Sequence, residues 1–469
     1  MADAPDPVTA PSASIPQPGI PRARMALLFT VVLVSAAGNT AMQSVMPSIG
    51  TALGVADVWI SLAYSWSALL WVGFAPFWAR RSDRRGRKAM MAIGLVGFVA
   101  SMGLCGAVLW IGLSGWIGPL LTLLLFALCR SLYGLLGSAA PPAVQAYVAS
   151  RTPRSERTQA LSLISSSFGL GTVIGPALAP LMILPILGLT GPFFAFALIG
   201  ILAIVALRLR LPDDEPRFEA RGLTFDAPYG GSGAGRHATD GDRDDGEEEE
   251  RAYRAPRVGE QLTAEAASAP HLAWSDPRIR PWLLSGFLGG HAQAMMLGIA
   301  GFLVLDRLGL REDPLAGAGP VSIVLMLGAL ATLLAQWGII PIMRLGPRAS
   351  TLSGMALGVI GATVFGMADA LHGIALGFAI AALGFGLFRP GFTAGASLAV
   401  SRPEQGQVSG KVASINGASY IYAPALGVWL YGHSDWIGFA AIIGFCVAVM
   451  VIGWTRLDSD AVLMASAED

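Results

Sequence analysis

Twelve apolar runs of membrane-spanning length, separated by short polar turns, constrain this chain more than any other feature. They fall at about 25–49, 57–79, 89–112, 117–149, 158–182 and 190–210, then at about 281–305, 317–343, 350–369, 372–400, 407–431 and 435–456. Each is long enough to cross roughly 30 Å of hydrocarbon as a helix, some with tilt or kinks. The runs are continuously apolar rather than alternating, so strands are excluded as the default. Only 13% of the 469 residues are charged, against about 25% in a soluble globular domain. The sequence therefore predicts an all-α membrane protein of twelve transmembrane helices, with the lipid bilayer as its solvent.

The turns set the orientation. Arg80, Arg81, Asp83, Arg84, Arg85, Arg87 and Lys88 crowd the second turn; Arg151, Arg154 and Arg157 follow, then Arg344 and Arg348, then Arg402 and Lys411. The opposite turns hold Arg307 and Arg311, diluted by Asp306, Glu312 and Asp313. An excess of Lys and Arg marks cytoplasmic loops, which predicts both termini in the cytoplasm. Net charge is zero, so nothing argues for nucleic acid. Cys105, Cys129 and Cys446 all lie inside apolar runs, as packing residues do, and no metal-spaced ligand set appears. No phosphate-binding loop ending in Gly-Lys-Ser/Thr occurs, which argues against an ATP-driven pump, and no nucleophile–base pair at depth suggests an enzyme. No cofactor is expected.

Composition divides the chain further. Residues 1–24 read as a disordered cytoplasmic tail without signal-peptide character. Residues 25–210 form one six-helix bundle and 281–456 a second, with 457–469 as a cytoplasmic tail. Between the bundles, 211–280 contains the glycine-rich Gly230–Gly235 and the acidic Asp240–Glu250, a composition that cannot build a core. The bundles look like repeats: Gly175-Pro176-Ala177-Leu178 is matched by Ala423-Pro424-Ala425-Leu426, and Arg84-Arg85-Gly86-Arg87 is echoed by Arg344-Leu345-Gly346-Pro347-Arg348. Parallel six-helix repeats put a substrate site between the halves near the bilayer midplane.

At this point the residues resemble the major facilitator superfamily. Asp83, Arg84, Gly86, Arg87 and Lys88 match its loop signature between helices two and three, with Ala79 and Arg81 departing from it. The resemblance implies a charge-paired conformational latch there. Gly171, Gly175 and Pro176 resemble the fifth-helix signature of twelve-helix drug:proton antiporters, with Ala179-Pro180 in place of Gly-Gly. Ser167, Gly171, Gly175 and Ala179 recur every four residues as a smooth stripe for close helix contact, and Pro176 and Pro180 should make a hinge. Phe126, Arg130 and Gly134, with Tyr133, resemble the family's arginine motif. An arginine at a helix centre costs about 2.5–3.5 kcal/mol on insertion scales, so Arg130 should face a cavity or a partner such as Asn39 or Gln43.

The resemblance further implies that helices one, four, seven and ten line the substrate path. The candidate cavity residues are then Asn39, Gln43, Arg130, Tyr133, His291, Gln293 and Arg389, with Asn416, Tyr420 and Tyr422 approaching from helix eleven. No Asp or Glu lies deep in a predicted helix, which leaves His291 as the proton carrier, tuned by Arg130, with Asp306 as the substitute. Core packing is the competing reading for each of these polar residues. Two deep guanidiniums without a compensating acid favour neutral, zwitterionic or anionic amphiphiles over lipophilic cations. The expected function is secondary active export of small amphiphilic molecules in the inner membrane, driven by protons. An importer of organic anions and a non-transporting membrane sensor or scaffold are the alternatives.

Overall fold

Hydrocarbon offers the backbone no hydrogen-bonding partner, so a run can cross it only with its N–H and C=O groups paired along its own helix. A computed structural model of the chain, describing residues 20–149, 151–152, 154–212, 272–401 and 404–465, shows this arrangement. Side chains at 79–80, 82–85, 154–159, 405–406 and 464–465 lie outside the description, as do the tail 1–19 and the acidic run 240–250. The first set of helices is α1 (Arg22–Leu53), α2 (Asp57–Arg85), α3 (Arg87–Leu113), α4 (Pro119–Ala149), α5 (Arg154–Leu178) and α6 (Gly191–Arg210). The second is α7 (Arg280–Arg307), α8 (Pro314–Met343), α9 (Pro347–Met367), α10 (Leu371–Leu398), α11 (Gln405–His433) and α12 (Asp435–Arg456), followed by a short α13 (Asp460–Ala465). Among the described residues, eleven helices are long and apolar enough to span a membrane. The remaining long one, α11, has 29 residues but carries Asn416, Ser419, Tyr420 and Tyr422 in its middle.

Two spans are interrupted where proline removes a donor. In α4, Pro141 and Pro142 follow a 3-10 turn at Gly137–Ala139. The Leu135 carbonyl at that break accepts from the Trp78 indole of α2 at 2.5 Å and from the Ser138 hydroxyl at 3.2 Å, so that acceptor is not orphaned. In α8, a π-helical turn at Leu334–Ile339 precedes Pro341, which lacks the N–H an α-helical register would aim four residues back.

The two sets repeat the same helix pairings, and close approach is the means. Lipid is as apolar as leucine, so helices associate by contact, and glycine lets backbones come nearest. A Cβ on Gly171 of α5 would stand 2.6 Å from the Ala36 Cβ of α1; one on Gly298 of α7 would stand 2.7 Å from the Pro424 carbonyl oxygen of α11. Likewise α3 meets α6 at Gly106 and Phe193, and α9 meets α12 at Gly358 and Cys446. The predicted match of Gly175-Pro176 with Ala423-Pro424 therefore places both segments against the first helix of their own set. Pro180 opens a 3-10 turn at Pro180–Met182 that ends the helix, while α5 runs through Pro176 to Leu178.

Helices alternate in direction, so the α2–α3 and α8–α9 turns share one end, the basic end, and the α1–α2 and α7–α8 turns share the far end. At the basic end the Asp460 carboxylate accepts from the backbone N–H groups of Arg348 (2.7 Å) and Ala349 (3.0 Å), capping the positive end of α9. The segment leading into α7 docks on the α10–α11 turn. There the Arg278 guanidinium grips Glu404 with two bonds of 3.0 and 2.8 Å, and Ser401 adds its N–H and hydroxyl. These donors hold the Glu404 carboxyl well down, at about 2 against an ordinary 4.5, the Arg278 hydrogen bond contributing most. Trp282, which its place in the sequence puts at the membrane interface, is buried instead against Gly395 of α10.

Gly175→Val should lower the thermal midpoint in detergent by the equivalent of about 1–3 kcal/mol of overpacking. Gly73→Ala, where an added Cβ meets nothing within 4 Å, should not lower it. Because the folded Glu404 pKa is depressed, its contribution is complete above the unfolded value and lost as pH falls from about 4.5 toward about 2. Glu404→Gln should flatten that acid limb in a melting-versus-pH series.

Candidate substrate site

A cavity of ≈ 100 Å³ lies between the two sets, walled by α1 and α5 from the first and by α7, α8 and α10 from the second. By volume it has room for several waters. Its apolar wall includes Phe378, Phe385, Met296 and Leu297; its polar groups are Thr40, Thr172, Thr332, Gln43 and Gln293. Among the described residues, no charged side chain lines it. The three threonine hydroxyls donate to helix carbonyls: Thr172 to Gly169 at 2.7 Å, Thr40 shared between Ala36 of its own helix at 3.1 Å and Gly171 of α5 at 3.2 Å, and Thr332 between Gly328 at 3.0 Å and Ala382 of α10 at 3.2 Å. They are left to the cavity as acceptors, and the two glutamine amides supply its donors. A second space of ≈ 60 Å³, among α1, α2, α7, α8 and α11, shares Gln43, Leu297 and Leu325 with the first and reaches Tyr64 and Tyr420.

The arginines flank this cavity on the basic-end side. Asn39 is one turn from Gln43 along α1, and its amide oxygen accepts from Arg130 Nη2 of α4. The Arg130 guanidinium, fully buried, also stacks 4.2 Å over the Tyr133 ring. On α10, Ala382, Phe385 and Arg389 follow at helical spacing on one face, so Arg389 stands one turn beyond the cavity wall. It is buried with its guanidinium 5.9 Å from the Tyr420 ring centroid.

His291 takes another direction. Its Nδ1 pairs with the Phe287 carbonyl and its Nε2 with the Tyr422 hydroxyl, both at 2.6 Å, and its ring packs against Phe445 of α12. That is the opposite face of α7 from Gln293, Met296 and Leu297. Asn416 is buried on α11 away from both cavity linings. Of the cavity residues expected from the sequence, Gln43 and Gln293 line the larger space, and Gln43 and Tyr420 the smaller. Helices α1, α7 and α10 contribute walls as the resemblance implied; α5 and α8 also do, whereas α4 sits behind α1 and supplies Arg130. Thr40, Thr172 and Thr332 were missed because a threonine inside an apolar run gives no signal of facing.

The far end carries the ion network. Arg311, in the α7–α8 turn, donates to Asp57 at the start of α2 with bonds of 2.8 and 2.6 Å, to Asp306 at the end of α7 at 2.6 and 3.1 Å, and to Thr51 at 3.2 Å. Tyr431 of α11 donates to Asp306 at 2.8 Å. One guanidinium therefore ties the first set to the second. The Asp57 and Asp306 carboxylates hold the Arg311 pKa above its ordinary value, with Asp57 contributing most. Of the latch residues, Gly86 takes a positive φ of 86° before α3, Arg87 is buried, and Lys88 Nζ reaches the Arg208 carbonyl of α6 at 3.4 Å. The side chains of Asp83 and Arg84 lie outside the described residues.

Two repeated sets of helices enclosing a cavity at mid-depth make a membrane-transporter fold. The chain belongs to the Major Facilitator Superfamily, whose family model matches residues 28–343. It is 31% identical over 169 residues to the multidrug resistance protein MdtG of Proteus mirabilis, a stretch covering 35% of this chain and 39% of that protein. A probable actinorhodin transporter of Streptomyces coelicolor is 30% identical over 196 residues, 40% of this chain and 31% of the relative. Among solved structures, the xylose transporter XylE from E. coli superposes with a TM-score of 0.61 at 15% identity, covering 94% of this chain and 98% of XylE. The human organic anion transporter MFSD10 gives 0.55 at 18%, covering 92% and 100%.

Gln43→Leu and Gln293→Leu should each weaken binding of the neutral amphiphile 1-naphthaleneacetamide by about 3–10-fold, the net worth of one hydrogen bond. Ligand-dependent shifts of the melting midpoint in detergent read the effect directly.

Proposed function

We propose that this transporter exports small amphiphilic molecules from the cytoplasm across the inner membrane by alternating access, in exchange for protons. The Asp57–Arg311–Asp306 bridge carries the reading. It joins the two sets at the far end, and the basic loops argue that this end faces out of the cell while both termini face in. With the bridge intact, the cavity is closed on that side. A proton arriving from outside neutralises a carboxylate, removes its charge-assisted bonds to Arg311 and lets the far end part. Asp306 is the favoured carrier because Arg311 and Tyr431 both address it and it sits on α7, the helix that also presents Gln293. The relatives named for multidrug resistance support export, and the neutral, aromatic cavity suits cargo held by burial and a few hydrogen bonds. The loop residues Asp83, Arg84, Gly86, Arg87 and Lys88 form the latch on the inner side in this reading.

The test is flux in proteoliposomes of known orientation under an imposed pH gradient, with 1-naphthaleneacetamide as cargo. Asp306→Asn should abolish gradient-driven accumulation while sparing downhill exchange, and His291→Gln should transport as the parent does. The reverse pattern moves the proton to His291. Accumulation in the import direction would reject export.

A further inference from the structure

Resting on that reading, we infer that Arg389 and Tyr420 form an oxyanion subsite, so that the favoured cargo is an amphiphile bearing a carboxylate. Arg389 is 4% exposed, and none of its three guanidinium nitrogens has a hydrogen bond of normal geometry among the described residues. The Tyr420 hydroxyl, 2% exposed as a residue, stands beside it within reach of a weak contact with the guanidinium and has no hydrogen bond of normal geometry. Buried polar groups are almost always satisfied, and a buried guanidinium more stringently so. Even if the hydroxyl accepts weakly from Arg389, the pair keeps donors to spare, and what it lacks among the described residues is an acceptor carrying negative charge.

The first set supplies such a group with a protein acceptor at one of its nitrogens, Nη2. Arg130 of α4 occupies the place that Arg389 occupies in α10, with a tyrosine ring beneath each. Arg130 receives the amide oxygen of Asn39, four residues before Gln43 on α1. Four residues before Gln293 on α7 stands Gly289, whose missing side chain makes room for the Phe388 ring. The repeat therefore closes its arginine with a protein amide on one side and leaves it open on the other. The open one lies on the α10 face that carries Ala382 and Phe385 into the cavity, and Tyr420 lines the neighbouring space together with Gln43. A ligand with an aromatic body against Phe385 and a carboxylate one helical turn away, about 6 Å, meets both. Arg389 offers the planar fork that matches two carboxylate oxygens.

The experiment compares 1-naphthaleneacetate with 1-naphthaleneacetamide, equal in shape and different in charge, by thermal shift on the purified full chain. The parent should bind the carboxylate more tightly by about tenfold, the scale of a charge-assisted bond. Arg389→Gln should erase that difference while leaving the amide's affinity within about twofold, and Tyr420→Phe should reduce it in part. Arg389→Gln should be no less thermostable without ligand, since it removes an uncompensated buried charge. Should that variant fail to fold, Arg389→Lys, which keeps the charge and loses the fork, must retain less than half of the preference. Equal binding of the two ligands by the parent, equal losses in Arg389→Gln, or chloride alone reproducing the whole stabilisation overturns the subsite. Binding in detergent requires no flux, so a carboxylate preference without gradient-driven transport would end the export reading and leave the subsite standing.

Discussion

Every other contact in this molecule depends on helices meeting without a hydrophobic force to press them together. In lipid the gain comes from surface fit, and α1 with α5 and α7 with α11 meet through positions where an added Cβ would collide with the partner helix. Three of those four helices, α1, α5 and α7, also line the larger cavity. Gly171 and Thr40 bind α5 to α1, and the same helices present Thr172, Pro176 and Gln43 to the cavity. Gly298 seats α7 against Pro424, and one turn away α7 presents Gln293. Packing and site are thus two faces of the same helices, and the small-residue stripe that holds the bundle fixes where its polar groups point.

The charges follow a separate logic. Charged side chains are expensive in hydrocarbon, and among the described residues the carboxylates sit at helix ends and turns while two guanidiniums lie buried within helices. Cargo and proton are consequently handled apart in the proposed cycle, cargo at mid-depth and proton at the far end. Neutral amides and threonine acceptors in the cavity impose no fixed charge on what enters, so under the proposed subsite discrimination by charge falls to Arg389, one turn below it.

The architecture was legible because it is written in periods and lengths. Run length located the helices, the turns' basic residues separated the two ends, and Gly-Pro against Ala-Pro revealed the repeat that the α1–α5 and α7–α11 contacts display. Facing was less legible. Gln43 and Gln293 are candidates because they are polar on helices that the family resemblance puts along the path, and both line the cavity. His291 has the same depth and polarity, yet a 200° turn of helix separates it from Gln293, two residues on. The sequence holds no apolar stripe by which to choose between these faces, since lipid, core and cavity walls are all apolar here. Trp282 misleads for a related reason. An interfacial tryptophan and one filling the gap over Gly395 look alike until the partner helix is in place.

What links proton to cargo under this proposal is α7 itself. Its end carries Asp306, held by Arg311 to the first set, and its middle carries Gln293 in the cavity. Between them Gly298 packs on Pro424 of α11, within its own set, while Gly301 meets Pro47 of α1 across the seam between the sets. In the proposed cycle α7 moves with α11 as one body, so release of Asp306, with Gly301 parting from Pro47, shifts Gln293 relative to Gln43 on α1. Those two amides are the cavity's donors, one from each set. The ligand they share is therefore gripped in one arrangement of the sets and let go in the other, with no relay of residues needed between the two sites.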